Sequence, residues 1–278
     1  MTADAIIIGG GAAGCMAAIT AARFGKSVIV FERNDHVGRK LRITGKGRCN
    51  VTNNCDTETL MSNIPVNSRF LYSAFAAFGT QEVMDFFEEL GVPLKTERGN
   101  RVFPVSDNAQ DIVDALSLEM KRLGVKVIHK RVQKILCEDG VCTGVRAGGQ
   151  DYNAQSVLIA CGGKSYPNTG SDGDGYTFAE SVGHTVTELK PSLVPLVSPD
   201  KYCAEMMGLL FAGHLGDDLG RIILTPGVEG CQHPASNEVV ELALVLGEGL
   251  RVHPLGRGDD GMVVSDLGFV HRALAHGQ

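Results

Sequence analysis

The fold class that the sequence predicts is α/β, a mainly parallel sheet with helices against its faces, and three observations predict it. A short apolar run, Ala5 to Ile8, enters a glycine-rich turn and leaves it as a helical pattern, Ala12 to Phe24, that stops at Gly25. A second apolar run, Val28 to Phe31, follows at once and closes on an acid, Glu32. Much later, Ser156 to Gly163 repeats the form of the first run and ends in paired glycines. Apolar runs without alternation suit strands buried on both faces of a parallel sheet.

The turn after the first strand contains Gly9, Gly11 and Gly14 in the order G-x-G-x-x-G. The first glycine permits the tight turn, the second lets backbone approach a pyrophosphate, and the third lets the helix lie close on the strand. The helix then presents the backbone N–H groups of Gly11, Ala12, Ala13 and Gly14 to the phosphates. Glu32 stands 18 residues beyond Gly14, where a carboxylate accepts the hydroxyls of an adenosine ribose and disfavours a 2′-phosphate. A lone glycine motif is weak in a chain with 35 glycines among 278 residues. A strand before it, a helix after it and the acid at this distance make it a Rossmann-type dinucleotide site, with a ligand-free βαβ unit as the bland alternative.

Composition narrows the class further. The chain is 44% hydrophobic and 21% charged with a net charge of −6, so no global basic surface recommends nucleic acid or an anionic membrane as partner. The N-terminus leads straight into the first strand, and no apolar run reaches membrane-spanning length, which predicts a cytoplasmic protein. Eight cysteines lie scattered without a C-x-x-C pair, the pattern of reduced thiols rather than of disulfides or zinc.

Gly38 to Asn53 follows the second strand and carries five cations, three glycines and several short polar side chains. Its position is the strand end at which open α/β sheets bind ligands. The segment matches G-R-K-x-x-x-[ST]-G-x-G-R-C-N-x-T-N position by position, and through it the chain resembles the BaiN-like flavoproteins, a family also known as aminoacetone oxidase family FAD-binding enzymes or bile-acid reductases. The resemblance continues in Arg101 to Asp107 (R-V-F-P-x-S-D), Ser165 to Tyr176 (S-Y-P-x-T-G-x-x-G-D-G-Y) and Pro191 to Leu196 (P-S-L-V-P-L).

Residues 56–123 read as a mainly helical insertion. Phe70, Ala74, Phe75 and Phe78 form one apolar stripe and Val83, Phe86, Phe87 and Leu90 another, both expected in the core. Arg101 to Pro104 reads as a turn before a helix running from about Ser106 to Leu123. Residues 125–153 read as a β-meander of three short segments, Val125 to Ile128, Val132 to Cys137 and Val141 to Arg146, with the tightest break at Gly140. A meander set before a buried parallel strand is the layout of FAD-binding Rossmann domains rather than of plain NAD dehydrogenases. Asp172 and Asp174 lack the terminal glutamate of a calcium loop, and no metal site is expected.

Residues 1–190 are thus expected to form the FAD-binding domain, and residues 191–278 the start of a substrate or cap domain followed by a divergent tail. From about Leu210 the resemblance stops, and the last 69 residues hold no lysine against 11 before them. Such a shift reads as a frameshifted or truncated frame.

The resemblance implies an FAD-dependent oxidoreductase that passes hydride through flavin N5 to or from a small organic substrate, with NAD(P)H a candidate electron donor. It places the backbone of Val132 at the adenine and Ala160, Gly162 and Gly163 beside the diphosphate. Arg33, Arg39, Lys40, Arg48 and Asn50 are the candidate polar contacts, the cations offsetting charge on the diphosphate and reduced flavin. An NAD-dependent dehydrogenase and a weakly binding, inactive fragment are the competing readings. No catalytic residue, substrate or oligomeric state follows from the sequence.

Overall fold

A computed structural model describes residues 2–64, 67–189 and, as backbone, 244–247. Nearly all of them, residues 2–64, 67–187 and 244–247, lie in one compact unit. The expectation of a frameshifted or truncated tail falls on 210–278 and so, apart from 244–247, outside the described residues.

The core is a seven-stranded sheet. Strand β1 (Thr2–Ile8) pairs in parallel with β2 (Val28–Glu32), and helix α1 (Ala12–Arg23) makes the crossover. All five residues of β2 are buried, as a strand covered on both faces requires. Alternation sorts the side chains to the two faces. Ile7, Val28, Val30 and Leu158 pack in one cluster with α1, while Ile6, Ile8, Ile29, Phe31 and Val157 belong to a second. On α1, Gly14, Cys15, Ala18 and Ile19 are buried, the spacing of one helical face.

The segment after β2 departs from the expected helical insertion. It contains α2 (Thr57–Ser62), α3 (Tyr72–Ala77), α4 (Thr80–Glu89) and a small antiparallel sheet. That sheet is formed by β3 (Thr52–Asn53), β4 (Leu94–Glu97) and β5 (Arg101–Pro104) in the order β3-β5-β4. Arg101 to Pro104 is therefore a strand and not a turn. Gly99 and Asn100 both take positive φ and close the hairpin, and Val102 and Phe103 become fully buried. Of the two aromatic stripes, the one on α4 is core, with Phe86 and Phe87 buried, but Phe70 and Phe78 are exposed.

Helix α5 (Ala109–Arg122) is the second crossover of the main sheet rather than part of an insertion. It packs beside α1 through Ile112, Val113, Leu116 and Met120 and delivers β6 (Lys126–His129), which pairs in parallel with β2. The first of the three expected meander segments is thus the third parallel strand. Its apolar pattern could not say which neighbour it would join.

The meander proper consists of β7 (Val132–Glu138), β8 (Val141–Ala147) and the first half of β9 (Gln150–Ile159). β9 serves both parts of the sheet. Residues 150–153 pair antiparallel with β8, while 153–159 run parallel to β1. Beyond the end of β8, β10 (Leu244–Gly247) takes the same side of β9, antiparallel at Ser156 to Ile159, in a stretch to which sequence patterning gave no element. Helix α6 (Asp174–Ser181) follows β9 and buries Phe178 in the second cluster.

Candidate functional site

The carboxyl ends of β1, β2 and β9 meet at a cleft lined by Ile8, Gly9, Phe31, Glu32 and Ala160. Its floor is the glycine turn. Gly9 has φ +107° and lies against the backbone of Ala160 and Cys161, so closely that a Cβ there would overlap them. A Cβ on Gly14 would run into the carbonyl oxygen of Gly9, which is the helix-on-strand contact expected of the third glycine. Gly10, which the motif leaves unspecified, is hemmed in by Val37 and Glu32.

Helix α1 begins at Gly11 without a side-chain cap and without an acid in its first turn. The N–H groups of that turn have no acceptor within the helix, and they carry the positive end of its dipole toward the cleft. An anion is the partner this arrangement suits.

Glu32 is buried, and its carboxylate organises the turn. Oε2 accepts the Gly10 N–H at 2.8 Å, while Oε1 accepts the Asn34 backbone N–H at 2.8 Å and its side-chain amide at 2.7 Å. A carboxylate offers about four acceptor positions. Among the described residues three are filled, leaving one on Oε2 for a hydroxyl in the cleft that Glu32 lines.

Among the described residues, five cations line the cleft: Arg33, Arg39, Lys40, Lys130 and Arg131. Arg39 donates to the Asn34 side chain at 2.8 Å, and the Lys40 ammonium lies 5.9 Å from the Tyr166 ring centre. Arg33 and Arg131 are held by two carboxylates, Asp172 in the loop before α6 and Asp174 at its first residue. Arg33 reaches Asp172, and Arg131 spans Asp174, with Nε at 2.9 Å, and Asp172 at 3.3 Å. Arg33 and Asn34 also donate to the carbonyls of Gly170 and Thr169, each at 3.2 Å. Burial pushes the Asp172 carboxyl up, but Arg33, the backbone N–H of Asp174 and Arg131 together hold it below the usual range.

Eight of the residues expected at the site line the cleft: Gly9, Gly11, Glu32, Arg33, Arg39, Lys40, Val132 and Ala160. Ala12, Ala13 and Gly14 lie just behind, in the first turn of α1. Gly162 and Gly163 follow the lining residue Cys161 without entering the lining themselves.

Arg48 and Asn50 are not among the residues that line this cleft. The Arg48 guanidinium stacks 4.0 Å from the centre of the Phe103 ring and binds Glu97 at 2.9 Å and Asp107 at 3.1 Å. Its charge is thereby committed to pinning the basic loop on the small sheet. Cys49, beside it, is buried at positive φ.

Sequence reasoning missed the opposite wall, formed by Lys130, Arg131, residues Thr169 to Ser171, Asp174 and Phe178. Lys130 and Arg131 directly precede Val132, so a basic pair at the mouth of a strand already assigned to the adenine was the available signal.

The glycine cradle, the uncapped helix start, the spare acceptor on Glu32 and the cationic rim fit a dinucleotide. With an antiparallel meander inserted before the strand that returns beside β1, they define the class: an FAD-binding Rossmann flavoprotein. The chain belongs to the HI0933-like protein Rossmann domain family, whose model matches residues 3–264.

Among curated proteins it is 36% identical over 224 residues to the 3-dehydro-bile acid delta(4,6)-reductase of Clostridium scindens, covering 78% of this chain and 53% of that protein. It is 30% identical over 210 residues to the ribosomal RNA dihydrouridine synthase of Haemophilus influenzae, covering 73% and 52%. The chain thus spans about half the length of these relatives. Among solved structures, a 3-ketosteroid-delta4-(5alpha)-dehydrogenase from Rhodococcus jostii matches with a TM-score of 0.42 and 20% identity, covering 59% of this chain and 47% of that one.

Proposed function

We propose that the protein is an FAD-dependent reductase of a carbon–carbon double bond conjugated to a carbonyl group in an organic substrate. The observation that carries the cofactor half is the cleft at the ends of β1, β2 and β9, with one acceptor position of Glu32 left for a ribose hydroxyl. In this reading Gly11 to Gly14 hold the diphosphate, Val132 borders the adenine, and Arg39 and Lys40 offset phosphate charge. Bound FAD supplies a two-electron carrier that exchanges hydride through N5, while the protein supplies position and charge.

The substrate half is supported by the names of the two relatives. A 3-oxo steroid with delta(4,6) double bonds and a uridine converted to dihydrouridine share one reaction, the saturation of a double bond conjugated to a carbonyl. The substrate gains a hydride at the carbon remote from the carbonyl and a proton at the near one, and NAD(P)H is the candidate source of the electrons.

The test is titration of the 278-residue protein with FAD, followed by anaerobic incubation with NADPH and either a 4-en-3-one steroid or a uridine-containing RNA. FAD binding and a product heavier by two hydrogens are expected with one of the two substrates. Absence of FAD binding would overturn the cofactor assignment, and binding without reduction of either substrate would overturn the reaction.

A further inference from the structure

Asp139 and Gly140 join β7 to β8, and both take positive φ, 51° and 78°. That is the geometry of a two-residue type I′ turn, closed by the pair Glu138 and Val141. The next pair along the ladder is Cys137 opposite Cys142. Pairs alternate in an antiparallel ladder, so the pair behind the closing one is a non-hydrogen-bonded pair, with Cα atoms about 4.5 Å apart. Disulfides span Cα separations of about 4.4–6.8 Å.

The two thiols interact with each other, and Cys142 also lies against the backbone of Gly144. A register shift lies between Leu136 and Cys137, which loosens the local pleat. Cys137 is exposed and Cys142 is buried in the second core cluster. One thiol is therefore open to a reagent in solution, while the other is shielded from it and aimed at the first.

We propose that Cys137 and Cys142 form a cross-strand thiol–disulfide site that small disulfides oxidise. The Cys137 thiolate attacks one sulfur of the reagent, forming a mixed disulfide and expelling a first thiolate. Cys142 loses its proton to water and attacks the Cys137 sulfur, expelling the second thiolate. Two protein thiols and one small disulfide thus give one protein disulfide and two small thiols. Burial pushes the Cys142 thiol up to about 11, so the second step is the slow one.

The site is separate from the cleft. Val132, which borders the cleft, is five residues along β7 from Cys137, about 17 Å at about 3.4 Å per residue.

Oxidation of the 278-residue protein with glutathione disulfide tests this. Both cysteines fall in one tryptic peptide, residues 135–146, because Lys134 and Arg146 bound it. After alkylation the expected peptide is lighter than the reduced form by two hydrogens and carries no alkyl group, and dithiothreitol restores both thiols. Cys142→Ser should stop at a glutathione adduct on Cys137, and Cys137→Ser should leave Cys142 unmodified. A wild-type protein that stops at the adduct, pairs Cys137 with a different cysteine or keeps both thiols alkylatable would overturn the proposal.

Discussion

Glu32 Oε2 accepts the backbone N–H of Gly10 at 2.8 Å, so the residue expected to bind the ribose also fixes the turn beneath the diphosphate. Glu32→Gln replaces one acceptor oxygen by a donor NH₂, which must then face either Gly10 or the Asn34 donors. An unpaired buried donor costs about 1–3 kcal/mol. Affinity for FAD is expected to fall about tenfold or more, while FMN, which lacks the adenosine ribose, is retained much better. Parallel fluorescence titrations with the two flavins measure the difference. Equal losses would mean that Glu32 acts on the turn alone.

Gly14→Ala and Gly11→Val should fail for different reasons. A methyl at Gly14 overlaps the Gly9 carbonyl, and overpacking of this kind costs about 1–3 kcal/mol. A lowered melting temperature without ligand is expected. Gly11 caps the helix in extended backbone, φ −78°, which valine tolerates, so Gly11→Val should fold and lose FAD. Thermal melts with and without FAD separate the two effects.

Glu119 on α5 holds α1 in place from behind the site. It accepts from Arg23 of α1 at 2.9 Å and from Arg122 at 2.6 Å, with its own side chain almost fully buried. The two guanidinium groups, Arg122 first, hold its carboxyl down to about 2 against an ordinary 4.5. Because the folded value is the lower one, the stabilisation is complete above about pH 4.5 and is lost as pH falls toward 2. The arginines are 66% and 40% exposed, so solvent screening reduces the contribution to about 1 kcal/mol. Urea midpoints between pH 7 and pH 3 should fall in the wild type. Glu119→Gln should start lower and show a flatter acid limb.

Asp172 and Asp174 occupy Arg33 and Arg131, two of the cations that line the cleft. Changing both to Asn should free Arg33 and Arg131 for an added phosphate, since arginine beside the ribose is what accommodates a 2′-phosphate. Competition against FAD by ADP-ribose and by its 2′-phosphorylated form gives the readout. The wild type is expected to prefer the unphosphorylated ligand, and the double variant to narrow or reverse that preference about tenfold.

The parts of this site legible in the sequence were those set by local chemistry. The glycine turn, Glu32 and the uncapped α1 depend on residues within one βαβ unit, and β7 and β8 on their own alternation and turn. What stayed hidden depended on partners distant in sequence. Arg48 belongs to a loop whose composition suits phosphate, yet Glu97 and Asp107 claim it 49 and 59 residues away. Arg131 and Asp174 wall the cleft because β7 and the start of α6 come together in space. The β4–β5 hairpin escaped notice because four-residue strands flanked by charge carry too little periodicity to register.

The pairing of β1 with β9 joins Thr2 to Asn153 and Ile8 to Ile159, and this has a consequence during synthesis. At about 5–20 residues per second, roughly 8–30 s separate the appearance of β1 from that of its central partner. β2 arrives within a few seconds and covers one edge of β1, but the other edge waits, with its apolar residues and unpaired backbone groups. While residues 33–152 are made, somewhat under half of the 278-residue chain, the edge of β1 along Ala5 to Ile8 has no partner strand. Chaperones that hold nascent chains, or slow codons, would have their largest effect on yield between residues 30 and 159.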